Sequence, residues 1–252
     1  MLPQAYNSKA KGRWSFATGF VLDIKGDARN MSKVAIGIPC LDMVSTAFFS
    51  SILSQQYSQE DSYDYLIEGG SVTYEARNRI AEKALNMGAD ILVWYDSDMI
   101  LREDTILRLV QHIKDGKDFV TGLYFRRRPQ THPLILKALD WYEHPQFGAQ
   151  EIVEVYEDYP RDSLFEIQGA GMGCCAMNVD MFKKIVPTFK CSPFTPLYRL
   201  SEDYSFMWRA RQCGYDLWCD SSIKPAHWGY HAYTEHDWDR QRKMQNDLDS
   251  RD

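Results

Sequence analysis

What this chain lacks narrows its chemistry before anything it contains. Its six cysteines, Cys40, Cys174, Cys175, Cys191, Cys213 and Cys219, include no C-x-x-C pair. No signal-peptide-like stretch precedes them, and no apolar span is long enough for a transmembrane helix. Thiols kept reduced in a cytoplasm are therefore expected. No internal repeat or low-complexity linker divides the 252 residues, so one compact domain is expected from a composition that is 44% hydrophobic. A basic excess is missing too. The net charge of -6 argues against a general nucleic-acid binder and leaves only Arg126-Arg127-Arg128, either a solvated loop or a small basic patch.

What is present is an apolar run that stops at carboxylates. Ile91-Leu92-Val93-Trp94-Tyr95 ends in Asp96-Ser97-Asp98-Met99, two acids where a buried strand would leave a sheet. Neighbouring unpaired carboxylates repel, and a divalent cation that bridges them to an anionic ligand is a common reason to keep them together. A polar turn after a strand is the plainer alternative, because Asp and Ser are frequent turn formers.

Residues 1–32 are polar and mixed, with Trp14, Phe16 and Phe20 as anchors, and read as an arm packed on a domain that begins at Lys33. Val34-Ala35-Ile36-Gly37-Ile38, stopped by Pro39, has the unbroken apolar character of a parallel strand buried on both faces. Tyr65-Leu66-Ile67 repeats the pattern more briefly before Glu68-Gly69-Gly70-Ser71. Val72, Ala76, Ile80 and Ala84 then recur at helical spacing and feed the strand that ends at Asp96. A second helix carries Ile106, Leu109, Val110 and Ile113 and stops at Gly116, ahead of a strand over Phe119–Leu123. Such alternation predicts an α/β fold with a mainly parallel central sheet flanked by helices. Ligands of such sheets bind outside the carboxyl ends of the strands, where Pro39, Glu68 and Asp96 would converge.

The middle of the chain breaks the alternation. Leu134-Ile135-Leu136, a turn, and Glu151–Val155 with period-two patterning predict a β-hairpin excursion. Phe165-Glu166-Ile167 leads into Gly169-Ala170-Gly171-Met172-Gly173, which lacks the dinucleotide-fingerprint spacing and is either a tight bulge or a loop where a ligand approaches the backbone. Cys174–Met177 reads as a strand and Asp180–Ile185 as a short helix. Ser201-Glu202-Asp203 opens a helix that stops at Gly214. Its acids are either caps or a catalytic base, and a cap accounts for only one of them. A short strand, Leu217-Trp218-Cys219, precedes Pro225-Ala226-His227-Trp228-Gly229, where a lone His beside a Trp is either packed in a core or a ligand.

The order of DSDM after a strand, a glycine loop, the SEDYSF helix and then AHWG resembles nucleotide-sugar-dependent glycosyltransferases of the GT-A type, especially short soluble members found in phages and bacteria. The resemblance spans roughly Lys33 to His231 and implies a single GT-A domain over 33–252. Its nucleotide-binding half would be 33–125, its acceptor-binding half 126–231, and 232–252 a tail. It implies a site in which Asp96 and Asp98 hold Mn²⁺ or Mg²⁺ against the diphosphate of a sugar nucleotide, UDP-sugar being favoured, with His227 completing the metal shell. Ala76-Arg77-Asn78 matches the segment whose Arg helps hold the base. Pro39, Ser97 and Gly171 would line the donor site, and Glu68 stands where many relatives carry Asp. Glu202-Asp203 matches the family's acidic pair, which implies Asp203 as general base in an inverting transfer with Glu202 in support.

The Q-x-x-R-W signature of processive synthases is absent, so transfer of a single sugar is expected. The acceptor, to be met by the hairpin region from Arg126 to Phe165, remains open among glycan, protein and modified nucleobase. The expected location is a cytoplasm, that of the host if the chain is phage-encoded. Two other classes stay in view: a non-catalytic nucleotide- or sugar-binding module, and a haloacid-dehalogenase-like phosphatase with Asp96 as nucleophile.

Overall fold

Val34 to Pro39 are buried without a break, and a run with no polar face fits only a strand covered on both sides. The computed structural model describes residues 31–249 other than Asp42, Ser71, Pro129 and Tyr230. All but the end of the arm expected over 1–32 lies outside the described residues. The expected alternation is observed: β1 (Lys33–Pro39), α1 (Thr46–Leu53), β2 (Ser62–Glu68), α2 (Thr73–Asn86) and β3 (Ile91–Tyr95). The Ser45 side chain starts α1 by accepting the Phe48 N–H at 3.0 Å. A two-residue strand β4 (Met99–Ile100), α3 (Thr105–Lys114) and β5 (Phe119–Gly122) follow. The hairpin is β6 (Ile135–His144) and β7 (Gly148–Val155), longer than the sequence pattern indicates. The remainder is β8 (Leu164–Ile167), β9 (Gly169–Ala170), β10 (Cys174–Asn178), α4 (Asp180–Phe189), α5 (Glu202–Gln212), β11 (Leu217–Asp220), β12 (Ala226–Trp228), β13 (Ala232–Tyr233) and α6 (Glu235–Asp249).

The fold is mixed α/β around a seven-stranded sheet in the order β2-β1-β3-β10-β5-β11-β8. β1, β2, β3, β5 and β11 run one way; β10, lying between β3 and β5, and β8, at the edge, run against them. One face is covered by α1 and α3 through Phe48, Ile52, Ile106 and Leu109. The other is covered by α2, α4 and α5 through Ile80, Phe182, Phe206 and Met207. Each large apolar side chain fully buried in these layers contributes about 1.5–3 kcal/mol. Two small sheets, β13-β12-β4 and β7-β6-β9, flank the main one.

Three details differ from the sequence reading. β2 is the edge strand, with Tyr65 and Ile67 exposed, so its short apolar run does not mark a second central strand. The helix expected over Asp180–Ile185 continues to Phe189 through Pro187 and ends with Lys190 in the left-handed region at φ 52°. The tail expected over 232–252 contains β13 and α6. This helix carries one buried residue, Trp238, and is otherwise fastened by polar contacts such as Arg161 with Asp239 and Gln241 with the Thr131 backbone.

At the end of β11, buried Asp220 fastens α3 to the sheet. Its Oδ2 meets His112 Nε2 at 2.8 Å and Arg108 Nη2 at 3.1 Å, and its Oδ1 accepts the Ser222 N–H at 2.9 Å. Burial pushes this carboxyl up, but His112, Ser222 and Arg108 together outweigh it and hold the group well below the usual carboxylate range. A depressed folded-state value stabilises the fold above the unfolded value of about 3.9 and loses that contribution as pH falls below it. Asp220→Asn should therefore cost about 1–3 kcal/mol at pH 7, and the deficit should shrink as pH is lowered past about 4. Urea unfolding of both proteins across pH checks this; a deficit independent of pH contradicts the ionic role.

Candidate functional site

The carboxyl ends of the parallel strands open onto a cavity of about 410 Å³. β1 delivers Pro39 to it, and β3 delivers Asp96, whose N–H donates to Gly173 O at 3.0 Å while its carbonyl accepts the Met99 N–H at 3.0 Å. The polar-turn reading of D-S-D-M is therefore correct as far as it goes, and the turn also presents both acids to the cavity. β4 then pairs antiparallel with β12 so that Met99 lies opposite His227. The Trp228 N–H donates to Asp98 O at 2.7 Å. This small sheet carries the late histidine to the early carboxylate, leaving His227 Nε2 3.4 Å from Asp98 Oδ1.

The glycine loop owes its composition to a side chain. Tyr124, just beyond β5, accepts the Gly173 N–H on its hydroxyl at 2.7 Å, and a Cβ on Gly171 would run into that hydroxyl. The close approach expected of a ligand is made by Tyr124, although Gly171 still lines the cavity.

Arg77 ties the floor together. It projects from α2, is 2% exposed, and lies 5.4 Å from the centroid of the Trp94 ring. Its Nη2 donates to Asp96 Oδ1 at 2.9 Å and its Nε faces Glu202 Oε1 at 3.5 Å. Its Nη1 is buried and has no hydrogen-bond partner among the described residues. Arg77 lines the crevice, as the resemblance implies, and it is a buried cation between carboxylates from two other elements.

Glu202 and Asp203 stand at the start of α5. Asp203 Oδ1 accepts from the Ser201 hydroxyl and from the Tyr204 N–H at 2.8 Å. Burial, then the neighbouring Glu202, push its carboxyl up to about 6. Burial likewise raises Asp96, against the pull of Arg77.

Of the residues singled out in the sequence, Pro39, Arg77, Asp96, Ser97, Asp98, Gly171, Glu202, Asp203 and His227 all line this one cavity. Glu68 does not. It ends the edge strand, where Arg79 Nε holds its Oε2 at 2.8 Å and Lys83 holds its Oε1. Those two basic residues, one helical turn apart on α2, draw it outward. Among the lining residues not assigned to the site by sequence are Tyr124, which the strand-end rule alone could have found, and Arg127, signalled only as part of a basic run.

The site's charges are unbalanced. Asp96, Asp98, Glu202 and Asp203 face Arg77 and Arg127 around the same space. Among the described residues, no group of three or more His, Cys, Asp or Glu side chains is arranged to hold a metal. Two residues do fit one. His227 Nδ1 lies 2.9 Å from Phe125 O. A carbonyl only accepts, so Nδ1 carries a proton, which leaves Nε2 as the ring nitrogen that faces Asp98 Oδ1, an oxygen buried without a hydrogen-bond partner. With Nε2 unprotonated, imidazole and carboxylate form a pair of donors that a divalent cation can take. Cations that keep waters and bind substrate phosphates need only one or two such protein ligands.

No family model and no curated protein matches the chain. Among solved structures, one titled "Crystal Structure of A197 from STIV" matches with a TM-score of 0.54 and 17% identity, over 79% of this chain and 86% of that one. The likeness is one of fold.

Removing Arg77 leaves Asp96 and Glu202 without their shared cation. Arg77→Ala should cost about 2–4 kcal/mol in denaturant unfolding, and Arg77→Lys should recover only part, because an ammonium cannot span both partners. An Ala variant that unfolds at the parental denaturant midpoint would contradict this assignment.

Proposed function

We propose that the chain is a GT-A-type glycosyltransferase that uses a divalent cation to move one sugar from a nucleotide-diphosphate sugar to an acceptor hydroxyl. The charge imbalance at the strand ends carries the reading. Four carboxylates face two guanidiniums in the cavity, so a diphosphate can enter only together with a divalent cation. Asp98 and His227 are the residues to hold Mn²⁺ or Mg²⁺, with Asp96 adjoining. The bound ion would supply Lewis-acid stabilisation of the departing diphosphate.

The chain's own groups do the rest. Arg77, on the cavity wall, adjoins the nucleotide and keeps Asp96 and Glu202 in place. Asp203 is the base. With its carboxyl pushed up to about 6, it is ionised at neutral pH yet more basic than an ordinary aspartate, as suits removal of a proton from a hydroxyl while the glycosidic bond forms. An inverting outcome goes with a base on the far side of the anomeric carbon from the diphosphate. UDP-sugar is the favoured donor; the acceptor is a glycan, a protein or a modified nucleobase.

Calorimetry of UDP with Mn²⁺ and with chelator tests the donor site: affinity should collapse without metal and in Asp98→Ala, and equal affinity in all three conditions refutes it. A radiolabelled sugar recovered on a product distinguishes transfer from phosphatase chemistry; nucleotide binding with no turnover identifies a binding module.

Asp203→Asn should lower turnover by about 10²–10⁴ while metal-dependent donor binding persists. The parent's rate should also fall about tenfold per pH unit below about 6, where the base becomes protonated. A near-parental rate in the Asn variant would make Asp203 a helix cap; loss of donor binding would move it to the donor side.

A further inference from the structure

The middle residue of the Arg126-Arg127-Arg128 run has a place of its own. Arg127 Nη1 pairs with Asp98 Oδ2 at 2.7 Å, the second oxygen of the carboxylate whose Oδ1 faces His227. The backbone around it is pinned: the Thr131 hydroxyl donates to Arg126 O at 2.7 Å, and Gln241 bonds both backbone groups of Thr131. The Arg127 side chain is half exposed, and among the described residues its other hydrogen bond is a 3.4 Å contact with Trp228 O. A fixed stem with a half-exposed guanidinium can leave Asp98 by side-chain rotation alone, with no loop opening.

We propose that Arg127 is a built-in counter-cation for Asp98, displaced when the divalent ion binds between Asp98 and His227 and then taken up by the donor's diphosphate. This rests on the metal-dependent reading above and adds to it an internal competitor for the metal. A dication beside Oδ1 would stand close to the guanidinium on Oδ2, and like charges sharing one carboxylate repel. Once released, the guanidinium remains on the wall of the same cavity, where the diphosphate is the anion it meets. The pairing neutralises Asp98 while the site is empty and makes the metal bind weakly by itself. Metal and diphosphate arriving together meet no such penalty, which couples the two ligands.

Loss of the guanidinium should therefore act in opposite directions on the two ligands. Mn²⁺ affinity is read from the electron paramagnetic resonance signal of the free ion, and UDP affinity by calorimetry at saturating Mn²⁺. Arg127→Ala should bind Mn²⁺ alone about three- to tenfold more tightly than the parent, a gain absent from Asp98→Ala/Arg127→Ala, and should bind UDP about three- to tenfold more weakly. Arg127→Lys should fall between, and the Mn²⁺ difference should narrow as salt screens the exposed pair. Equal Mn²⁺ affinity in parent and Arg127→Ala, where Asp98→Ala still weakens Mn²⁺, overturns the exchange and leaves the metal site standing; so does an unchanged UDP affinity. Mn²⁺ binding that is indifferent to Asp98→Ala overturns both readings.

Discussion

The guanidinium of Arg77 is the interaction on which the site's geometry depends. Three elements meet at it: α2 supplies the cation, the end of β3 supplies Asp96, and the first turn of α5 supplies Glu202. Without a buried positive charge the two acids would repel, and α5 could not bring its acidic start to the sheet. The delocalised planar cation suits the position, since it can reach two carboxylates and lie near the Trp94 ring at once. Fold stability and the geometry of the cavity floor are thus vested in one side chain.

A second constraint comes from the short sheet of β4 and β12. Two residues of β4 suffice to fix the register that places His227 opposite Met99, and the Phe125 carbonyl then selects which imidazole nitrogen faces Asp98. A backbone carbonyl thus orients the ring, as outer-shell partners do for many metal-binding histidines. Tyr124 plays a parallel part on the other wall, its hydroxyl holding the glycine loop at a distance only glycine tolerates.

The alternation of elements was readable because it is written in burial. The run Val34–Ile38, the run Ile91–Tyr95 and the helical spacing of Val72, Ala76, Ile80 and Ala84 have no other low-energy arrangement. Nine of the ten residues singled out for the site line one cavity for the same reason: strand ends and helix starts are legible, and in this topology they converge. What could not be read is whatever depends on partners far along the chain. Nothing near Arg77 announces that Asp96 and Glu202, 19 and 125 residues away, will bury it. Glu68 failed because its neighbours on α2 compete for it. The helix α6 went unseen because a single buried tryptophan and several charged contacts leave almost no apolar periodicity.

The antiparallel strand β10 bears on how the molecule is made. It completes the sheet from within, filling the gap between β3 and β5, yet it is synthesised only after both of them and the hairpin. Until residues 174–178 arrive, the inner edges of β3 and β5 have no partner. Such non-local pairing slows folding and exposes strand edges to association in the interval. A nascent chain of this kind is most vulnerable midway through its own translation, and any truncation before Asn178 removes the central strand that joins the two parts of the sheet.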